Sequence, residues 1–227
     1  MNERDLPLGI HHVTAMTSDV VKNYEFFTEV LGMRLVKKTV NQDDIHTYHT
    51  YYGDDTGSPG TAMTFFDFPN NPKGIKGTNA ITRTSFRVPN DASLEYYQER
   101  FAKFDVKHES ITTEFGKKVL RFWYFDEQAY QLISDENNVG MKPGTPWKKG
   151  PVPEKFAIYG LGPVEITVSY FNDFKEIFEE LLSFEEIAQE GNRYLLEVGE
   201  KGNGAQVVLI EDATQNIAQQ GYGEVHH

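Results

Sequence analysis

None of the 227 positions is a cysteine. Disulfides, thiolate metal sites, iron–sulfur clusters and cysteine nucleophiles are therefore excluded together. Any metal must be held by His, Asp or Glu, a donor set that suits Fe(II), Mn(II), Zn(II) or Ni(II). Long apolar runs are missing too: none approaches the roughly 20 residues that cross a bilayer. No leader pattern opens the chain at residues 1–5, so a cytoplasmic protein without a membrane partner is expected. Positive charge is also scarce, with 22 basic against 34 acidic residues and a net charge of −12. A nucleic acid would be repelled by that field. The lysines between 142 and 149 are broken by Pro143, Gly144 and Pro146, and read as linker rather than as a phosphate-binding patch.

What is present is apolar and aromatic residues in quantity, 39% and 13%, enough for packed cores. They fall into an internal repeat. Residues 9–17 (GIHHVTAMT) alternate as a strand does, and Ser18-Asp19 supplies a helix N-cap signal. Tyr24, Phe27, Val30 and Leu31 follow at helical spacing, with Gly32 closing the helix. Strand-like runs at 34–40, 46–52 and 62–68 complete a β-α-β-β-β order. The order returns from 81 to 134 and again from 164 to 210. A fourth start, GYGEVHH, ends the sequence. The expected fold is thus α+β: three complete βαβββ modules and the beginning of a fourth. The expected boundaries are 1–76, 77–136, a linker at 137–156, 157–212, and 213–227 for the incomplete fourth, the rest of which the chain is expected to lack.

Alignment of the repeats on their helix caps singles out one histidine. His12 lies seven positions before Asp19. With Asp91 as the second cap the matching residue is Thr84, and the third repeat offers Val164-Glu165. Only the first module and the fourth start keep His-His, as a single metal site shared between two modules would require. A purification-tag remnant is the competing reading of His226-His227, but GYGEV before it reads as module sequence. In a regular strand His11 and His12 point to opposite faces, so one can ligate while the other stands nearer the substrate. Thr14 shares the face of His12. His46 and His49, three apart, suit joint ligation poorly. His49 could face the pocket or serve as a satisfied structural histidine, the latter being the expectation, and His108 is expected at the surface.

GIHHVTAMTSD followed by YEFFTEVLGMRLVKKTVN resembles the opening of the glyoxalase/bleomycin-resistance/extradiol-dioxygenase (vicinal-oxygen-chelate) superfamily. With DDIHTYHTYYGDDTGSPGTAMTFFDFP and the terminal GYGEVHH, it is similar to the branch that cleaves hydroquinone rings. The resemblance runs across all three modules, and the doubled HHVT and HH carry most of its specificity. It implies four modules and an Fe(II) or Mn(II) centre bound by two His and one Glu. His12 and His227 would be the metal ligands, and His11, Thr14 and His226 the catalytic groups around the substrate. The Glu is expected beyond the chain end, which would leave this chain inactive.

The implied activity is dioxygen insertion into a hydroquinone- or catechol-type ring. A metal with open positions can bind both reactants side by side, and a neighbouring histidine can take a phenolic proton and return it. Two other classes remain open: a glyoxalase-type isomerase or lyase using Ni(II) or Zn(II) as a Lewis acid, and a non-catalytic resistance protein that sequesters small molecules. The expected partners are an aromatic substrate, dioxygen, and further copies of the chain in a homo-oligomer.

Overall fold

The computed structural model describes residues 7–41 and 44–227; residues 1–5, on which the absence of a leader was read, lie outside them. The first repeat begins with β1 (His12–Met16) and α1 (Val20–Glu25), whose last turn widens into a π-helical turn over Phe26–Val30. Asp19 caps α1, its carboxylate accepting from the amides of Val21 and Lys22 at 2.9 and 3.0 Å, which satisfies two of the helix's orphan donors. Gly32 ends the segment at φ +73°, and a Cβ there would lie 2.6 Å from Val152. Both the left-handed turn and the close approach need glycine. Strands β2 (Arg34–Val40), β3 (Tyr48–Gly53) and β4 (Ala62–Phe66) follow. The four form one sheet in the order β1-β4-β3-β2, with β1 and β4 parallel.

The second repeat is β5 (Ala80–Val88), α2 (Asp91–Lys103), β6 (Thr112–Glu114), β7 (Lys117–Trp123) and β8 (Ala129–Ser134). The third is β9 (Gly160–Val168), α3 (Phe171–Glu176) with a π-helical turn at Ile177–Leu181, β10 (Glu185–Glu190), β11 (Arg193–Glu197) and β12 (Gln206–Glu211). These strands share one eight-stranded sheet because β5 and β9 pair antiparallel at its middle. The fold is α+β with repeated βαβββ units, as the sequence pattern predicts.

Residues 217–227 run back along the first repeat through single bridges from Thr78 to Ile217, Lys73 to Tyr222 and Ala15 to Val225. The last of these gives β1 the same kind of antiparallel neighbour that β5 has in β9.

One aromatic core joins the two sheets. Phe27 stands 4.9 Å from the rings of both Tyr52 and Phe65 on one side, and 6.3 and 6.1 Å from Phe86 and Tyr130 on the other. From α2, Tyr97 Oη and Arg100 Nε donate to the carbonyls of Leu31 and Val30 at 2.7 and 2.8 Å. They satisfy acceptors that the end of the first helical segment leaves open. Phe65 is buried in this core at 1% exposure.

Two of the repeat matches shift. The cap of α2 is Asn90, whose Oδ1 accepts from Ser93 N at 3.1 Å, and α3 is entered at Tyr170. Seven positions back from these caps stand Arg83 and Pro163, not Thr84 and Glu165. Facing agrees: Thr84 is fully buried, and two and four residues on along β5 the core residues Phe86 and Val88 share its side of the strand.

Candidate metal centre

On β1, Val13 and Ala15 enter the core, so the period of two turns His12 and Thr14 to the other, concave face of the sheet. The terminal segment lies against that strand. Thr14 N donates to His227 O at 2.6 Å, His226 N to Thr14 O at 2.7 Å, and Met16 N to Glu224 O at 3.1 Å. This main-chain pairing brings the His12 and His227 rings to 5.5 Å between centroids.

His11 precedes β1 and escapes its alternation. Its Nδ1 lies 3.0 Å from Nδ1 of His12, so the two rings meet instead of parting to opposite faces. His226 and His227 repeat the arrangement, with 2.7 Å between their Nδ1 atoms. In each pair one Nδ1 carries the proton and the other accepts it. Both Nε2 atoms of His12 and His227 are left without a hydrogen-bond partner among the described residues. A ligating imidazole is normally held this way, with one nitrogen bonded to a neighbour and the other directed outward. Partial burial, reinforced by His11, lowers the pKa of His12; burial, then His226 and His12, lowers that of His227. Both rings are biased to the neutral form that binds metal.

Thr14 is fully buried beneath these rings and accepts a hydrogen bond from the Thr64 hydroxyl at 2.9 Å. It therefore underlies the site rather than reaching into it. Since Thr64 spends its proton on Thr14, its oxygen accepts from His49 Nε2 at 3.0 Å. His49 Nδ1, then unprotonated, accepts from Tyr51 Oη at 2.8 Å. Burial, then the Lys37 ammonium, then His12 and His227, push the pKa of His49 down to about 4.

His49 faces the groove, one of the two placements open from the sequence, and both of its ring nitrogens are satisfied by neighbours. The phase of β3 was the available signal: once Tyr52 is placed in the core, His49 and Tyr51 must lie opposite. His46 lies in a turn before β3 rather than in the strand, and His108 pairs locally, its Nδ1 2.8 Å from Val106 O.

The concave face holds two adjoining cavities of about 480 and 430 Å³. The first is lined by His226, His227, Phe66 and Phe68, the second by His11 and His12; Lys37, His49 and Tyr51 line both. His226 packs against Phe66 at 5.7 Å. Among the described residues no group of three or more His, Asp or Glu side chains is placed to hold a metal ion. The donors present fit part of a metal site, two neutral imidazoles from different segments, and no carboxylate joins them in the groove.

The family model described as the Glyoxalase/Bleomycin resistance protein/Dioxygenase superfamily matches residues 9–132. A Bacillus subtilis protein named "Putative ring-cleaving dioxygenase MhqA" is 41% identical over 224 residues, covering 96% of this chain and 70% of that protein. A Sphingobium indicum protein named chlorohydroquinone/hydroquinone 1,2-dioxygenase is 27% identical over 224 residues, 96% of this chain and 68% of its own length. A crystal structure titled "putative dioxygenase", from Bacillus subtilis, superposes with a TM-score of 0.88 at 29% identity, covering 99% of this chain and 70% of that one.

Proposed function

The chain belongs to the glyoxalase/bleomycin resistance protein/dioxygenase superfamily, and from that premise we propose that it is a metal-dependent dioxygenase that opens a hydroquinone- or catechol-type ring. The observation that carries the reading is the meeting of His12 and His227, through main-chain pairing, over an aromatic-lined groove. The names of the relatives point the same way.

In this reading His12 and His227 hold Fe(II) or Mn(II) through their free Nε2 atoms. Such a metal supplies the one-electron chemistry by which triplet dioxygen engages a closed-shell phenol. His11 and His226 would take the proton from the ring hydroxyl and later return it to the product oxygen, each through the Nδ1 that it releases from the ligand beside it, since a ligand bound through Nε2 keeps its own proton on Nδ1. Each is hydrogen-bonded to the ligand beside it, so its ring orientation is fixed through that ligand. Thr14 and Thr64 form the floor that sets the height of β1 under the site. Phe66 and Phe68 exclude water from the ring's face. Both oxygen atoms enter the opened ring, so the balance needs no external reductant.

With two imidazoles and no groove carboxylate among the described residues, metal retention by this chain is expected to be weak and turnover low. The test is anaerobic loading with Fe(II) or Mn(II), then admission of oxygen with hydroquinone or catechol. Oxygen uptake matched by a product of substrate plus two oxygen atoms supports the reading. Isomerase or lyase activity restored by Ni(II) or Zn(II), with no oxygen consumed under any loading, overturns it. Cytoplasmic location and assembly into a homo-oligomer belong to the same proposal; fractionation and light scattering check them.

A further inference from the structure

Over β2 and β3 the groove carries a cation with no matching anion among the described residues. Lys37 lines both cavities, yet no Asp or Glu lines either, and Lys37 makes no ion pair among the described residues. Its ammonium rests instead 5.2 Å from the centroid of the Tyr51 ring. In a molecule with a net charge of −12, the described side chains that line the groove beside the histidines thus include no carboxylate. The next residue, Lys38, lies over Tyr48 at 4.0 Å and does not line the groove. Lys37 is exposed on a flexible stem and can leave the Tyr51 ring to meet a bound group. Tyr51 Oη is committed to His49, so Lys37 is the strong unspent donor at this edge.

We propose that the Lys37–Tyr51 edge is a subsite for a carboxylate on the aromatic ring, so that the groove prefers a dihydroxybenzoate-type ring to an uncharged hydroquinone. The ring hydroxyls then lie toward the histidines, the ring face against Phe66 and Phe68, and the carboxylate against Lys37. The choice of an aromatic diol rests on the ring-cleavage reading; the preference for an acidic substituent rests on Lys37 and on a lining without carboxylates among the described residues.

The test is anaerobic isothermal titration of the metal-free chain at low ionic strength with 2,5-dihydroxybenzoate and with hydroquinone. The acid is expected to bind about ten- to a hundred-fold more tightly, the range of a charge-assisted hydrogen bond. Lys37→Met should erase the difference, Lys37→Arg should keep most of it, and added salt should shrink it. Circular dichroism verifies that both variants fold. Equal affinity for the two rings, binding of neither, or an unchanged preference in Lys37→Met overturns the subsite. The oxygen-uptake assay is independent. Cleavage of hydroquinone without a carboxylate preference removes the subsite and keeps the activity, whereas selective binding of the acid without cleavage does the reverse.

Discussion

His11 and His12 are neighbours in sequence with different prospects. His12 stands on the face that meets His227, whereas His11 lies before the strand and touches the site through its neighbour's Nδ1. In anaerobically loaded protein, His12→Ala should therefore lose most of its bound iron or manganese, as read by elemental analysis. His11→Ala should retain metal but turn over more slowly by about 10²–10⁴-fold, the usual contribution of general acid–base assistance. The reverse pattern would show that the roles within the pair are exchanged. Doubling of the pair at the two ends of the sequence pointed to the two segments that the fold brings together. The ring contacts were not legible, because period-two alternation applies only inside a strand and His11 is outside it. The facing of His49 was open for a related reason: one histidine in a strand says nothing of which face it takes until a core residue fixes the phase.

At the scale of elements, two polar clusters hold strands together. Glu165 on β9 meets Arg83 of β5 at 3.3 Å and Arg193 of β11 at 2.5 Å, while Glu114 of β6 takes Arg193 and Arg121 at 2.7 and 2.6 Å. Glu165→Ala would leave guanidinium groups partly buried without their counter-charge. It should cost about 3–5 kcal/mol in urea unfolding, as breaking a buried pair does; a loss under 1 kcal/mol would mean that water already serves these groups. Asp54, at the end of β3, ties its own loop to the segment after β8. Burial alone would raise its pKa, but the amides of Ser58, Thr145 and Thr56 and the Ser58 hydroxyl outweigh it and hold the carboxyl below the usual range. The stability it contributes is complete above the unfolded value of about 4 and is lost as pH falls through the lower folded value. Asp54→Asn should accordingly cost about 1.5–3 kcal/mol near neutrality and progressively less below pH 4, in denaturation curves measured across that range. The order of elements was legible because strand and helix periods differ so plainly. The exact repeat match was not: Asn90 and Asp91 are both good capping residues, and a shift of one turns Arg83 into Thr84 and the concave face into the core.

For the whole molecule the governing residue is Phe27, in ring contact with both sheets. Phe27→Ala should lower stability by about 3–5 kcal/mol. Wild-type unfolding should be a single transition, with the fluorescence of the two tryptophans, Trp123 and Trp147, coinciding with far-ultraviolet circular dichroism. Two separated transitions would show that the sheets stand independently. Nothing in the sequence pattern announced that this ring would bridge two repeats, since periodicity marks a buried face without saying what lies against it. Arg83 occupies in the second repeat the position that His12 holds in the first, and its bond to Glu165 closes the seam between β5 and β9 with charge. The chain therefore contains the same joint twice, one fastened permanently and one left available to bind. In the proposed reading, damage at the open joint would silence the chemistry while the closed one preserves the shape. Variation in what the protein accepts can accumulate along one seam without putting the architecture at risk.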